Sequence, residues 1–513
     1  MLDRRNFLGI VGGAVMGATP AGQLSAAQPR RIVRPTGSGL GRATIDKIQQ
    51  VLNEAREKHN VPGAGLAVLD GADLHEFATG VRDVKTNAPV TTDSIFFIGS
   101  TTKAVNATLV MQLVDEGKLD VDLPVKRYLP ELKLADPQAL ETLTKRHLLA
   151  MTSGIDNGPY LSLQGNDAVE WYVAGLADIP HLHPPGAMFG YSNAGSTVAG
   201  RVVEVLTGLD WDTAMTRRLF EPLGLKRSAT LLEDVAKQQI VTSHGAGASG
   251  ASRISRADNR PTRIPSWWDR SHGPAGSTIR QSAGDLMRFG LFHMSGGQAA
   301  GGKRVMSPRI VRLMQEPVSH PPKGFLADGW SLGWMLFDRG GTKVCGHAGG
   351  HTGQGSDFWF LPDRPRPGGA ALVVNSNARA FYGEVLEWVF RELFKVDFQG
   401  VYTLWHTKET PDSSLKLDLQ PYTGVYERYG RRSEVAVEKD ALVLSSASGG
   451  DSRRGGSSAR YTLRPIDRSV FAVYHDGVGP PLRTAFTGFT GNRPDYFFDG
   501  PYTPFLAKRT SGG

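Results

Sequence analysis

Asp93-Ser-Ile-Phe-Phe-Ile-Gly-Ser-Thr-Thr-Lys103, with the run Ala104-Val-Asn-Ala-Thr-Leu-Val-Met-Gln-Leu-Val-Asp-Glu-Gly-Lys-Leu119 behind it, is the stretch on which the fold turns. Phe96, Phe97 and Ile98 make a short apolar approach, and Gly99 gives a tight entry. Val105, Leu109 and Leu113 recur at helical spacing and Gly117 supplies a stop, so a helix starts near Ser100 and is buried on at least one face. Ser100 and Lys103 then lie about one turn apart on one side of it, the geometry in which an amine takes the proton of a hydroxyl nucleophile. The unpaired N–H groups of a helix start, together with burial, are expected to lower the Lys103 pKa. The bland alternative is a serine capping an ordinary core helix, with Lys103 in solvent. A two-position pattern also recurs by chance: Ser413-Ser-Leu-Lys416 fits it, in a polar stretch that reads as linker.

Working outward, Ala43 to Lys58 reads as an amphipathic helix carrying Ile45, Ile48, Val51 and Leu52 on one side. Gly63 to Val84 reads as two strands joined by a Gly-Ala-Asp turn. The region from Ser100 to about Gly297 is mostly helical with long loops. Strands return between Trp330 and Asn377, at Leu332-Gly-Trp-Met-Leu-Phe337, Asp357-Phe-Trp-Phe-Leu-Pro362 and Ala370-Ala-Leu-Val-Val-Asn375, and Glu384 to Lys395 closes the region as a helix. Strands at both ends with helices between imply an α/β fold with one sheet drawn from distant segments. After a polar linker near His406 to Lys416 come short alternating runs at Glu434-Val-Ala-Val-Glu438, Ala441-Leu-Val-Leu444, Tyr461-Thr-Leu463, Val470-Phe-Ala-Val-Tyr474, Thr484-Ala-Phe486, Asp495-Tyr-Phe-Phe498 and Pro504-Phe-Leu-Ala507. They read as a small antiparallel barrel or sandwich, with a Gly/Ser/Arg-rich loop from Ser445 to Ser458.

The chain has 513 residues, 40% hydrophobic and 21% charged, an ordinary globular balance that leaves room for a large domain and a smaller one. Arg4-Arg5, then Phe7-Leu8 and a Gly/Ala-rich run, resembles a twin-arginine export signal, with Ser25-Ala26-Ala27 offering a cleavage site. A periplasmic or secreted mature chain is expected, with no stable membrane span after processing. The single cysteine, Cys345, rules out an internal disulfide. The net charge of +8 is dispersed. Its densest stretch, Arg253 to Arg270, lacks a nucleic-acid module, so no nucleic-acid partner is expected.

Two further pieces carry chemistry. Gly190-Tyr191-Ser192-Asn193-Ala194-Gly195 is a loop before a helix from Thr197 to Leu206. A tyrosine and an asparagine two apart can point into one cleft, the phenol shuttling a proton and the amide binding a substrate amide. Val344-Cys-Gly-His347-Ala-Gly349-Gly350-His351 offers glycines that let a substrate backbone approach a strand, and an N–H that can share an oxyanion hole with that of Ser100.

Ser100-x-x-Lys103, Tyr191-x-Asn193 and His347-x-Gly349 stand in the order and rough spacing of the serine β-lactamase-like, penicillin-recognising hydrolases, and the chain resembles their class C branch. That branch includes D-aminopeptidases, D-Ala-D-Ala carboxypeptidases, esterases and linear-microcystin hydrolase-like peptidases. Leu148-Leu-Ala-Met-Thr-Ser-Gly-Ile155 and Pro274-Ala-Gly-Ser-Thr-Ile-Arg-Gln-Ser-Ala-Gly-Asp-Leu-Met-Arg-Phe-Gly290 are similar to further family segments, and the likeness covers roughly residues 40 to 397. It implies an α/β sandwich: an antiparallel sheet flanked by helices, plus a helical subdomain. The tail from Tyr422-Thr-Gly-Val-Tyr426 resembles the lipocalin-like β-domains of some members. The implied division is a signal peptide at 1–27, a catalytic domain at 28–400, a linker at 401–416 and a small β-barrel at 417–513.

By this resemblance Ser100 is the acylated nucleophile, Lys103 its base and Tyr191 the group that passes the proton to the leaving group and helps activate water. Asn193 orients substrate, His347 takes the place of a family lysine, and the Gly350 N–H completes the oxyanion hole beside Gly349. Ala348 stands where a hydroxyl normally helps hold a β-lactam carboxylate, and His347 is not a permanent cation; both point away from efficient β-lactamase activity. Trp267 and Trp268 are read either as an exposed pair gripping substrate or as anchors of a long loop. His181, His183, His347 and His351 lack a zinc-ligand pattern, so no metal and no cofactor is expected. The expected activity is a serine peptidase or amidase acting on a small peptide, amide or ester. The alternatives are a carboxylesterase or weak β-lactamase of the same family, or a non-catalytic protein binding peptides or peptidoglycan fragments.

Overall fold

The computed structural model describes residues 39–246, 261–263, 268–401, 411, 415–448, 459–474, 482–499 and 505–511. The expected export signal, Trp267, Ser413 and most of the expected linker lie outside them.

The centre is an antiparallel sheet of eight strands among the described residues: β1 (Gly63–Asp70), β2 (Asp73–Asp83), β3 (Ala88–Pro89), β4 (Gly329–Trp330), β5 (Met335–Arg339), β6 (Thr342–His351), β7 (Gln354–Phe360) and β8 (Gly368–Val374). Their spatial order is β4-β5-β6-β7-β8-β1-β2-β3. β1 therefore pairs with β8, Ala64 facing Val374 and Ala67 facing Ala371, and the sheet is indeed drawn from the two ends of the region. Alternate β1 residues feed two cores, as the period of two demands. Ala64, Leu66 and Val68 pack with helix α1 (Arg42–Lys58) through Ile48 and Leu52. Ala67 and Leu69 belong to the core on the other face, with helix α2 (Thr102–Asp115). Two more helices matter here: α3 (Asn193–Thr207), packed on α2, and α4 (Ala283–Met294), packed on β1 and β8. A fifth, α5 (Arg379–Val389), lies against α1.

Three local readings change. Leu332-Gly-Trp334 is not strand: Gly333 sits at φ +98°, where a side chain is strained and a Cβ would stand 2.5 Å from Ala107 Cβ of α2, so the chain turns there before β5 begins. The helix expected from Glu384 starts earlier, at Arg379, and ends in a π-turn over Phe390–Phe394. Ser445 to Ser448, expected in a loop, continue a strand, and residues 449–458 lie outside the described residues.

The C-terminal runs close into a barrel, which decides between barrel and sandwich. Its strands run from Gly424–Arg428 to Leu506–Ser511, and those two pair to shut it. The first strand was not among the alternating runs. Tyr422, Tyr426, Phe471, Phe486 and Phe497 fill the interior. Outside, the barrel packs on the sheet-bearing part: Phe498 lies 4.7 Å from Phe325, and Tyr496 Oη donates to Leu182 O at 3.1 Å. Tyr429 N donates to Asp156 Oδ2 at 2.5 Å. Among the described residues no helix is long and apolar enough to cross a membrane.

Burial raises the Asp156 pKa to about 6, against the backbone N–H groups of Tyr429 and Asn157 that favour its ionised form. A carboxyl whose folded pKa lies above its unfolded value binds more protons when folded. Its contribution to stability is complete below about pH 4 and is lost as pH rises through 6, on the order of 3 kcal/mol in all. Guanidinium unfolding at pH 4.5 and 7.5 should show this loss in the wild type, and Asp156→Asn should remove that share of the pH dependence.

Candidate active site

The site begins at a tight turn. Gly99–Thr101 forms one 3₁₀ turn that feeds α2, so Ser100 precedes the α-helix by one turn residue. Gly99 takes φ +53°, and a Cβ there would stand 2.7 Å from Gly350 N. Gly349 is as constrained from the strand side: a Cβ would collide with Ile98 O. The two glycines let β6 run directly against the Ser100 turn. Thr101 Oγ1 binds His347 O at 3.2 Å and Ser356 Oγ at 2.7 Å, and Ser356 Oγ donates to Ile98 O at 2.8 Å, fastening the turn to β6 and β7.

Lys103 lies below Ser100. Its Nζ donates to Ser100 Oγ at 3.0 Å and to Ala275 O at 2.7 Å, and sits 4.8 Å from the Tyr191 ring centroid. Helix α2 is buried round its whole circumference from Thr102 to Leu113, and Lys103 is buried with it. Among the described residues no carboxylate pairs with this amine. Burial pushes its pKa well below the usual lysine range, and burial is the whole cause.

Tyr191 is buried against Trp330 at 5.8 Å and against Phe505 of the barrel at 5.9 Å. His347 is also buried, its ring 6.5 Å from that of Tyr191 and 5.4 Å from Trp330. Its Nδ1 meets Ala348 O at 2.6 Å, so Nδ1 carries the proton. Burial, and then Lys103, lower its pKa to about 3, and the ring is neutral at pH 7. Asn193 opens α3. Its N–H donates to Asn157 Oδ1 at 2.6 Å and its Nδ2 reaches Tyr160 Oη at 3.4 Å, while Ser192 Oγ caps the helix by accepting from Gly195 N at 2.9 Å.

Above these groups is a cleft of about 460 Å³. Ser100, Asn193 and Gly350 line it, together with Tyr160, His272 and Gly276. Lys103, Tyr191 and His347 are not among the lining residues, and Gly349 is pressed on Ile98. Trp268 is not brought into the cleft; its ring packs on Phe97 at 5.7 Å. Tyr160, His272 and Ala275 escaped the reading of the sequence. Ala275 and His272 fall in or beside the segment from Pro274 that carried a family likeness, which was the available signal.

The Beta-lactamase family model matches residues 48–391, about two thirds of the chain. The chain therefore belongs to the Beta-lactamase family, and its fold is that of a β-lactamase-like hydrolase. It is 38% identical to penicillin-binding protein 4 of Amycolatopsis lactamdurans over 387 residues, 74% of this chain and 97% of that one. It is 24% identical to the unguisins hydrolase ungD' of Aspergillus campestris over 476 residues, 84% of each. Among solved structures it is similar to SurE, with a TM-score of 0.73 and 26% identity over 91% of this chain and 99% of that one; SurE has also been solved with D-Leu.

Gly349→Ala should cost about 2–4 kcal/mol, because Ile98 O is backbone and moves only with the Ser100 turn. Denaturant unfolding measures the loss, and Gly301→Ala, where φ is not in the left-handed region and nothing crowds a Cβ, is the control without a collision.

Proposed function

We propose that this chain is an exported serine hydrolase that cleaves small peptides and amides through an acyl-enzyme on Ser100. The observation that carries the reading is the Lys103 amine 3.0 Å from Ser100 Oγ, buried and without a counter-ion among the described residues. Burial disfavours the ammonium form, which makes such an amine available to accept a proton. In this reading Ser100 Oγ attacks the substrate carbonyl carbon while its proton passes to Lys103 Nζ. The Ser100 and Gly350 N–H groups receive the oxyanion, Gly350 being held against Gly99. The C–N bond breaks as Tyr191 relays the proton to the departing amine. Water then attacks the acyl ester, loses its proton to Tyr191 or Lys103, and Ser100 recovers its hydroxyl as the acid leaves.

Ala348 and a neutral His347 offer no cation or hydroxyl to a β-lactam carboxylate, which supports peptides and amides over penicillins. SurE's solution with D-Leu and the name of the unguisins hydrolase support a peptide-like substrate. Asn193 orients the substrate amide from the end of α3. The export signal is assigned to 1–27, the catalytic domain to 28–400, the linker to 401–416 and the barrel domain to 417–513.

Purified mature chain should be labelled by a fluorophosphonate, and Ser100→Ala should not. Lys103→Ala should slow acylation about 10²- to 10⁴-fold. Because only the neutral amine acts, the rate should rise with pH through the Lys103 pKa and level off well below pH 10.5. Absence of any Ser100-dependent label or turnover across nitrophenyl esters, D- and L-aminoacyl amides, short peptides and nitrocefin would overturn the proposal. Near-normal acylation in Lys103→Ala would overturn the assignment of the base.

A further inference from the structure

Arg280 is only 5% exposed, and among the described residues no carboxylate pairs with it. Its short strand, Arg280–Gln281, lies between Ser228–Ala229 and Ser94–Phe97 in a small sheet. The register sets Ala229, Arg280 and Phe97 in one row. Residues opposite one another in an antiparallel pair project from the same face, so Arg280 shares a face with Ala229 and Phe97 and, by the period of two, with Ile95. Gln281 takes the other face, where its Nε2 donates to Ser228 Oγ at 3.0 Å.

The Arg280 guanidinium carbon lies 3.8 Å from the Phe97 ring centroid. His351 stacks on the same ring, 3.8 Å away and inclined by 12°, and so occupies its opposite face. Trp268 packs on Phe97 and on the patch formed by Ile95, Ala229 and Val235. It therefore covers the face from which Arg280 projects. His351 lines the catalytic cleft, and one aromatic ring separates it from the guanidinium.

Hydrogen bonds engage little of this cation. Its Nη1 donates to Val241 O at 3.0 Å, a carbonyl that also accepts from Gln354 Nε2 at 3.0 Å. The Arg280 Nε–H is buried with no acceptor among the described residues, and so is the indole Nε1–H of Trp268. Burial lowers the Arg280 pKa to about 9, and burial is the whole cause. The guanidinium still holds its proton at pH 7. Taking such a cation out of water costs more than one contact with an aromatic face returns. An anion would return the rest, and it would satisfy both N–H groups at once. An opening this narrow favours a bare ion over an anionic group carried on a peptide. A halide suits it best, because it accepts N–H bonds from any direction and brings no donor of its own.

We propose that Arg280, under the Trp268 indole and beside Phe97, is a binding site for a small monovalent anion, chloride above all. The inference stands apart from the acyl-enzyme reading, since it needs neither a substrate nor turnover. The test uses the full chain in sodium gluconate at fixed ionic strength, gluconate being too bulky to enter, with chloride replacing it stepwise. The melting midpoint should rise by about 2–4 °C and saturate in the millimolar range. Arg280→Met should abolish that response. Trp268→Phe, which keeps a ring and removes the N–H, should need several-fold more chloride for the same rise. Crystals of the wild type grown in bromide should show an anomalous peak within hydrogen-bond distance of Arg280 Nε. A midpoint that does not distinguish chloride from gluconate overturns the site, as does an equal chloride response in Arg280→Met. Should Arg280→Met fail to fold, a bromide map without a peak at Arg280, or an unchanged chloride requirement in Trp268→Phe, overturns it instead.

Discussion

One amine held out of water governs this molecule. An ammonium moved into a protein interior loses several kcal/mol of hydration, and without a carboxylate beside it nothing returns that loss. At Lys103 that loss shows as a pKa driven well below the usual lysine range. Around it stand the Ser100 hydroxyl, the Ala275 carbonyl and the face of Tyr191. The carbonyl and the ring face both favour positive charge at Nζ and so oppose part of the cost of burial.

That arrangement needs α2 wholly inside the protein, and the rest of the fold is organised to put it there. α3 covers it from one side, and its polar residues find partners as they are buried: Asn106 binds Ser196 O and takes the Trp211 indole N–H, and Thr108 meets His293. β6 comes against the turn above it at backbone distance. The barrel contributes as well, since Phe505 backs Tyr191 and Tyr429 reaches Asp156, next to the Asn157 that holds Asn193. The C-terminal barrel thus supports, through Phe505 and Tyr429, residues that stand beside the cleft.

What could be read from the sequence was local. The periodicity of α1, the alternation of β1 and of the barrel strands, and the turn of spacing between Ser100 and Lys103 are properties of neighbours along the chain. What could not be read depended on distant contacts. Nothing in Thr102 to Leu113 announces burial on every side, because its Thr, Asn and Gln residues look solvent-facing until their partners are known. Gly333 looks like a strand residue until Ala107 occupies the space its side chain would need. Trp268 packs on Phe97, a contact between residues far apart in the chain that no spacing announces. His272 carries no pattern at all, and only the fold brings it to the cleft wall.

The strand order sets a timetable. β1 lies between β2 and β8, and β8 is made about three hundred residues after β1. At about 5–20 residues per second, the ribosome takes roughly 15–60 s to supply that partner. Through that interval the Ser100 turn has neither β6 nor β7 to lean on, and Lys103 is still solvated and charged. A nascent chain of this design cannot fasten the Ser100 turn or finish burying Lys103 until the late strands arrive.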